Sequence, residues 1–196
     1  MGMPLPRTWT AADVRALVRE DRPWPRYELI EGGLIVTPAP RTPHQLAAFE
    51  LCRELDVYLD RVPVGLAVMS PADLELRPGT ITQPDVFVIP AGVGFAGVTA
   101  EWSDVTSLLL AVEVLSPGSL RTDRIVKRDF YLANSVAEYW VVDLEAEMIE
   151  RWHSLPEEPE RCRGHIAWSP NGREPLVIDL VALFARNAAK ASRMQR

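Results

Sequence analysis

Residues 107–143 constrain the fold more than any other part of the sequence. They contain an apolar segment at 108–114, a segment with helical periodicity at 121–134 and a second apolar segment at 139–142. An apolar strand, a helix and another apolar strand in this order form a βαβ unit, whose two strands run parallel and are buried. The sequence therefore predicts a parallel pair of core strands joined by a right-handed crossover helix.

Glu113 is the residue of this unit that needs a physical explanation. It lies late in the first apolar strand, where a carboxylate is costly unless it is paired or binds a cation. Asp85 opens another short apolar strand, at 84–89. If the two strands are antiparallel neighbours, both carboxylates meet at one sheet edge, where a divalent cation would remove their repulsion. Alternatively, Asp85 caps a turn and Glu113 pairs with Arg128, and spacing alone leaves both interpretations open.

The predicted crossover helix carries a polar stripe. Asp123, Lys127 and Tyr131 follow at four-residue intervals and therefore share one face. The side chains expected to pack against the sheet lie about 100° away: Val126, Phe130 and Ala133. The polar stripe either faces the sheet end where Glu113 emerges, or forms a solvated surface with an Asp123–Lys127 pair. Spacing by itself favours the solvated surface.

The rest of the chain predicts an α/β (α+β) domain with a mixed sheet flanked by helices. Thr10 and Asp13 have capping-box spacing and open a short helix to about Glu20. The other predicted elements are a hairpin at 27–31 and 34–37, a helix at 43–61, strands at 65–69, 73–77 and 84–89, added strands at 147–152 and 165–168, and a last helix at 176–187 with a polar, disordered tail. The predicted core order is αβββαβ, with an N-terminal helix and hairpin and added C-terminal strands.

Length and composition predict a single domain over residues 1–196. The chain is long enough for one sizeable core, and its 47% apolar and 24% charged residues are typical of globular proteins. No stretch is apolar enough for a membrane span, and residues 1–10 lack the apolar core of a signal peptide. Cys52 and Cys162 lie far apart without zinc-ligand spacing, so we expect a reducing, cytoplasmic location.

The charge pattern restricts how the chain could bind nucleic acid. A net charge of −6 counts against holding duplex DNA by bulk electrostatics. Acidic residues dominate at 143–160, whereas basic residues cluster on the predicted crossover helix: Arg121, Arg124, Lys127 and Arg128. The sequence thus allows a local basic surface on an acidic protein.

Four fragments, taken in order, are similar to one known family. They are Pro84-Asp85, then Glu113-Val114-Leu115-Ser116-Pro117, then Asp123, Lys127 and Tyr131, then Glu138-Tyr139-Trp140-Val141-Val142-Asp143. In this order and spacing the chain resembles the Uma-type endonucleases of the PD-(D/E)XK, restriction-endonuclease-like superfamily. The resemblance covers about 27–152 and implies that fold, with 153–196 as a C-terminal extension.

The resemblance implies a role for each matching residue. Asp85 and Glu113 would bind Mg²⁺ or Mn²⁺, and the backbone carbonyl of Leu115 would be a further ligand. Leu115 stands where the superfamily usually has a lysine, and Lys127 matches the lysine that the Uma-type group carries on the following helix. Lys127 would position the attacking water. Ser135 stands where the family commonly has glycine, so the helix exit is expected to differ.

Further polar residues have supporting roles in this interpretation. Asp123 and Tyr131 would hold the lysine in place. Glu31 and His44 match polar positions often found beside the site, although Glu31 could equally face solvent at a turn and His44 could be a local hydrogen-bonding group. Three arginines could contact flanking phosphates: Arg121, Arg124 and Arg128.

These observations lead to two main hypotheses of function. The first is a metal-dependent endonuclease that hydrolyses phosphodiester bonds in DNA, duplex or single-stranded. The second is a nuclease-fold module that binds or regulates with little turnover, because fold alone does not establish function. A third is a metal site that acts on another phosphate ester. A homodimer is expected, because cutting a duplex calls for two sites and the strand at 147–152 could offer an edge for pairing.

Overall fold

The computed structural model describes residues 8–18, 24–93, 101–153 and 158–193. Its helices are α1 (Ala11–Arg15), α2 (Thr42–Arg61), α3 (Arg128–Ala133) and α4 (Leu180–Arg193), and a π-helical segment, Thr122–Lys127, directly precedes α3. Its strands are β1 (Arg26–Ile30), β2 (Gly33–Thr37), β3 (Gly65–Met69), β4 (Val86–Pro90), β5 (Leu110–Val114), β6 (Tyr139–Asp143), β7 (Met148–Trp152), β8 (Glu160–Cys162), β9 (His165–Trp168) and β10 (Leu176–Asp179). The first helix is shorter than predicted: it ends at Arg15 with Ala16 as its C-cap, and not near Glu20, which lies outside the described residues.

Six strands form one mixed sheet in the order β3-β4-β5-β6-β7-β8. β5 and β6 are parallel, and the other neighbouring pairs are antiparallel. The π-helical segment and α3 provide the crossover between β5 and β6, so the predicted βαβ unit is confirmed. The predicted core order αβββαβ is confirmed as well, since it corresponds to α2-β3-β4-β5-α3-β6. The pairs β1–β2 and β9–β10 form two separate hairpin sheets.

The central sheet separates two apolar layers, because successive residues of a strand point to opposite faces. Val86 and Val112 belong to the layer that packs against α2 and α4. Phe87 belongs to the other layer, which includes Phe130 of α3. Glu113 is next to Val112 in β5 and therefore points toward the layer that contains the crossover helix.

Residues 73–77 do not form the predicted strand. Leu74 makes a single isolated bridge to Thr82, with both backbone hydrogen bonds at 2.9 and 3.0 Å. Leu74 and Leu76 are buried in the same apolar layer as Ile30 of the N-terminal hairpin. The alternating pattern thus comes from an irregular segment that buries every second side chain beneath the hairpin.

The C-terminal helix begins and ends later than predicted. Residues of β10 (Leu176–Asp179) pair with β9, which accounts for the alternation of buried Leu176 and Ile178 with exposed Val177. Asp179 Oδ1 then accepts a hydrogen bond from the Ala182 N–H at 2.9 Å and caps the start of α4. The predicted polar tail is helical as far as Arg193. Among the described residues, no helix is long and apolar enough to cross a lipid bilayer.

The strand predicted to offer a free edge lies inside the sheet. β7 pairs with β6 on one side and with β8 on the other. β8 follows the acidic segment and was not predicted, because its three residues give too short a pattern. Within the described part of the chain, the edges of the six-stranded sheet are β3 and β8.

Candidate active site

Asp85 and Glu113 lie side by side at one end of the inner strands β4 and β5. The antiparallel register pairs Val86 with Val112, which places the preceding Asp85 opposite Glu113. The Val114 N–H donates to Asp85 Oδ2 at 2.9 Å, and His44 Nε2 at the start of α2 lies 3.1 Å from the same oxygen. The structure thus brings both predicted carboxylates and His44 together.

Lys127 is buried beside Glu113 instead of lying on a solvated surface. Its side chain is 5% exposed, and its Nζ lies 3.0 Å from Glu113 Oε1 and 2.8 Å from Glu28 Oε2. Asp123 Oδ1 is 3.9 Å from the same nitrogen. The Tyr131 hydroxyl donates to Glu113 Oε1 at 3.1 Å. The whole polar stripe of the crossover helix therefore faces the carboxylates.

The π-helical segment explains why the polar stripe is buried and part of the apolar stripe is not. Its wider turn lies between Thr122 and Lys127 and changes the direction in which side chains leave the helix. Val126 is 40% exposed and Ala133 is exposed, contrary to the predicted packing face, while Phe130 is buried as expected. The π-helical segment thus leaves Val126 partly exposed while Lys127 lies against Glu113 of the sheet.

Glu28 is the site residue that sequence reasoning missed. It is 2% exposed on β1, and its Oε1 accepts a hydrogen bond from the Gln83 N–H at 2.9 Å while Oε2 pairs with Lys127. Glu31 of the same hairpin, a predicted supporting residue, instead lies at the turn with a φ of 51°. Its side chain is 74% exposed, and its Oε1 is 3.9 Å from the Arg77 guanidinium. Glu28 lies on the same strand face as apolar Ile30, and this two-residue period in the sequence could have indicated that Glu28 is buried.

The buried carboxylates have strongly different pKa values. Burial raises the pKa of Glu113 well above its ordinary value, and the charge of Asp85 adds to this effect while Lys127 opposes it. Burial also opposes ionisation of Asp85, yet the hydrogen bond and charge of His44 and the Val114 N–H keep its pKa below the ordinary value. The two neighbouring carboxylates are therefore shifted in opposite directions: burial favours proton uptake by Glu113, whereas its polar contacts favour ionisation of Asp85.

Burial and the neighbouring charges also shift the pKa values of Lys127 and Asp123. Burial disfavours the Lys127 ammonium, but the charges of Glu113, Glu28 and Asp123 raise its pKa well above the ordinary value. Burial raises the pKa of Asp123 to about 6, although the charge of Lys127 opposes the shift. The lysine is thus firmly protonated in this environment.

Comparison with known proteins identifies the family. A family model described as "Putative restriction endonuclease" (Uma2) matches residues 11–175. The chain belongs to the Uma2 family. A crystal structure described as a "putative nuclease belonging to DUF820" from Anabaena variabilis shares this fold, with a TM-score of 0.74 and 17% identity over 91% of this chain and 99% of that chain. None of the curated proteins compared with the chain matches it.

The Uma2 assignment confirms the predicted family and the restriction-endonuclease-like fold, and it supports a nuclease-like function. Ser135 follows the crossover helix after its C-cap, Asn134, and has a φ of 60°, a conformation that suits glycine better than serine. The position where the resemblance predicts glycine therefore carries a serine in a strained backbone conformation.

The carboxylates offer a donor set that suits a hard cation. Among the described residues there is no group of three or more His, Cys, Asp or Glu side chains arranged to hold a metal ion. However, the described contacts reach Asp85 at Oδ2 and Glu113 at Oε1, which leaves the other oxygen of each carboxylate for a ligand. Oxygen donors are those that Mg²⁺ and Mn²⁺ prefer, so the residues fit such an ion.

The charge balance of the site also suits a bound cation. Four carboxylates are close enough to influence one another: Glu28, Asp85, Glu113 and Asp123. The cations that act on them include Lys127 and Arg26 of β1, whose pKa is lowered by burial although Asp85 and Glu28 counteract this. An excess of buried negative charge favours either proton uptake or binding of a cation.

The three arginines expected to contact phosphates differ in availability. Arg124 donates to both carboxylate oxygens of Glu150 at 3.1 and 3.0 Å and to Asp143 at 2.8 Å, so it joins the π-helical segment to β6 and β7. Arg128 pairs with neighbouring Asp129 and lies 4.7 Å from the centre of the Trp152 ring. Arg121 is exposed at the start of the crossover helix.

Proposed function

We propose that the protein is a metal-dependent endonuclease that hydrolyses phosphodiester bonds in DNA. The observation that carries this proposal is the buried ammonium of Lys127 against Glu113 and Glu28, at the strand ends where Asp85 also lies. Such an arrangement can hold a cation, a water and a phosphate oxygen close together. Membership of the Uma2 family supports the same class of reaction.

Asp85, Glu113 and the Leu115 carbonyl are the proposed ligands of Mg²⁺ or Mn²⁺. When bound, the ion would supply Lewis-acid activation of a water and charge neutralisation on the phosphate. His44 and the Val114 N–H hold one oxygen of Asp85 and favour its ionised form. Burial raises the pKa of Glu113, and a bound cation would oppose this shift and favour its anionic form.

Lys127 is proposed to donate hydrogen bonds and not to act as a general base. Its pKa is raised, so Nζ stays charged and can orient a water or a phosphate oxygen. Glu28 and Tyr131 are proposed positioning residues, because Glu28 pairs with Nζ and the Tyr131 hydroxyl donates to the same Glu113 oxygen. Asp123 would add a weaker interaction with Nζ at 3.9 Å.

Substrate contacts are proposed mainly for Arg121, which is exposed and could contact flanking phosphates. Arg124 and Arg128 would first have to exchange their present carboxylate partners. A homodimer is proposed for cleavage of a duplex, because cutting both strands needs two sites. A cytoplasmic location is proposed from the two free cysteines, Cys52 and Cys162.

A second candidate function is a nuclease-fold module that binds or regulates with little turnover. The specific observation that favours it is the extensive pairing of Lys127, whose Nζ lies within 4 Å of three carboxylates. A lysine held in this way could serve stability alone.

The experiment that separates these functions uses supercoiled plasmid and circular single-stranded DNA with Mg²⁺ or Mn²⁺. Wild type should nick the DNA, and Asp85→Asn and Lys127→Met should each lower the rate by about 100-fold or more. Asp56→Asn is the matched control, because Asp56 is an exposed carboxylate on α2 with no proposed role in the site. Nicking that survives both site substitutions would contradict the proposal, and DNA binding without nicking by wild type would favour the binding module.

A further inference from the structure

The structure contains a cleft of about 600 Å³ whose lining includes neighbours of Glu28 on β1. Its lining includes Trp24, Arg26, Gln83 and Trp102. This volume is within the range of small-molecule sites, and aromatic walls with a few polar groups are typical of sites that bind a planar ligand. The combination of two indole rings, a guanidinium and an amide is suited to a nucleotide.

Arg26 connects the cleft to the carboxylate site. It lies two residues before Glu28 on β1, so both side chains leave the same face of the strand. Its Cζ is 4.2 Å from the centre of the Trp24 ring, and the charges of Asp85 and Glu113 act on its guanidinium. A phosphate held by Arg26 would therefore lie between the cleft and the proposed metal ligands.

Gln83 also connects the cleft to the carboxylates of the site. Its N–H donates to Glu28 Oε1 at 2.9 Å, and two residues later in the chain comes Asp85. Its side-chain Nε2 donates to Asp73 Oδ1 at 2.6 Å, while its Oε1 is buried without a hydrogen-bond partner among the described residues. A buried acceptor without a partner is costly, and a ligand N–H would satisfy it.

We propose that this cleft binds one unpaired nucleotide next to the scissile phosphate. The base stacks against both Trp24 and Trp102, a donor on its edge bonds to Gln83 Oε1, and Arg26 contacts its phosphate. A base inside a duplex is stacked on both faces and paired at its edge, so it cannot enter such a cleft without being extruded. The preferred substrate is therefore single-stranded or locally unpaired DNA. The position of the scissile phosphate rests on the endonuclease function proposed above.

The test is fluorescence anisotropy of the full chain in EDTA with a short labelled DNA single strand and the duplex of the same sequence. Wild type should bind the single strand about 10-fold or more tightly than the duplex, and Trp24→Ala and Trp102→Ala should each weaken single-strand binding by about 5- to 100-fold. Gln83→Leu keeps the side-chain size and should weaken single-strand binding, because every base has an N–H donor on its edge. Phe49→Ala is the control, since Phe49 is an aromatic residue on α2 that is 50% exposed and is not part of the cleft lining.

Thermal unfolding of each variant identifies any that fails to fold, and Trp24→Phe, which keeps an aromatic face, should retain most of the affinity. Cleavage is measured in parallel. Selective loss of single-strand binding in the cleft variants supports the inference even if wild type does not cleave, in which case the endonuclease proposal fails alone. Cleavage by wild type together with equal affinity for duplex and no effect of either tryptophan substitution overturns the inference and leaves the endonuclease proposal standing.

Discussion

Lys127 remains charged in the interior because its neighbours offset the desolvation of its ammonium group. Glu28 and Glu113 lie 2.8 and 3.0 Å from Nζ, and the three side chains are almost fully buried. An unpaired buried ammonium would give up its proton. The charge of the lysine thus depends on a carboxylate from the N-terminal hairpin as well as on one from the central sheet.

Replacement of Glu28 should therefore destabilise the protein strongly. Glu28→Ala removes one of the negative charges that offset the buried ammonium of Lys127, and it leaves the Gln83 N–H without its acceptor. The substitution should therefore lower the free energy of unfolding by about 3 kcal/mol. Denaturant unfolding measures this change. Glu31→Ala, three residues later in the same hairpin but with an exposed side chain, should change it by less than about 0.5 kcal/mol. Equal effects of the two substitutions would contradict the assigned role of Glu28.

Asp123 should make stability depend on pH in a defined window. Its pKa is raised from 3.8 to about 6, so between these values the folded protein binds this proton more tightly than the unfolded chain does. In EDTA, the stability of wild type relative to Asp123→Asn should rise as the pH falls through about 6 and level off below 3.8. Denaturant unfolding of both proteins across this range is the measurement. A constant difference, or one that falls as the pH falls, would show that Asp123 is not held in this environment.

At the scale of elements, the crossover helix that carries the site residues departs from regular α-helical geometry at both ends. Its first part is π-helical over Thr122–Lys127, and the chain leaves α3 through Ser135 with a φ of 60°. The Ser135 carbonyl accepts a hydrogen bond from the Leu108 N–H at 3.0 Å, which ties this exit to the start of the βαβ unit. The strained residue therefore makes a hydrogen bond that holds the end of the crossover helix against the start of the βαβ unit.

Relief of this strain should stabilise the fold. Ser135→Gly removes the side chain at a positive φ and should raise the free energy of unfolding by roughly 0.5–1 kcal/mol, since the gain exceeds the added chain entropy of glycine. Ser135→Val, which places a β-branched side chain in the same conformation, should lower it. Thermal and denaturant unfolding measure both. Stabilisation by valine or destabilisation by glycine would contradict the strain at this position.

At the scale of the whole molecule, contacts that are local in sequence could be predicted and distant ones could not. The βαβ unit and the meeting of Asp85 with Glu113 follow from strand patterns and one antiparallel register, and the family resemblance added Lys127. Glu28 reaches the site from a separate hairpin sheet, and no local pattern indicates that approach. Residues 73–77 alternate like a strand because burial beneath the hairpin imposes the same period.

The polar stripe of the crossover helix shows why periodicity alone was misleading for the site. Spacing favoured a solvated surface, because a lysine with nearby acids is most often exposed. The outcome depends on compensation by Glu28 and Glu113 and on the π-helical turn, and both arise from packing of the complete chain. The prediction that Val126 packs against the sheet is wrong for the same reason, since this side chain is 40% exposed.

The central claim is that Asp85 and Glu113 hold a divalent ion while Lys127 acts on the water or phosphate beside it. Calorimetric titration with Mn²⁺ tests this claim most directly when wild type, Asp85→Asn and Lys127→Met are compared. Wild type should bind Mn²⁺, Asp85→Asn should lose this binding, and Lys127→Met should keep it because only a competing cation is removed. Binding that is unchanged by Asp85→Asn, or that is lost only with Lys127→Met, would contradict the account.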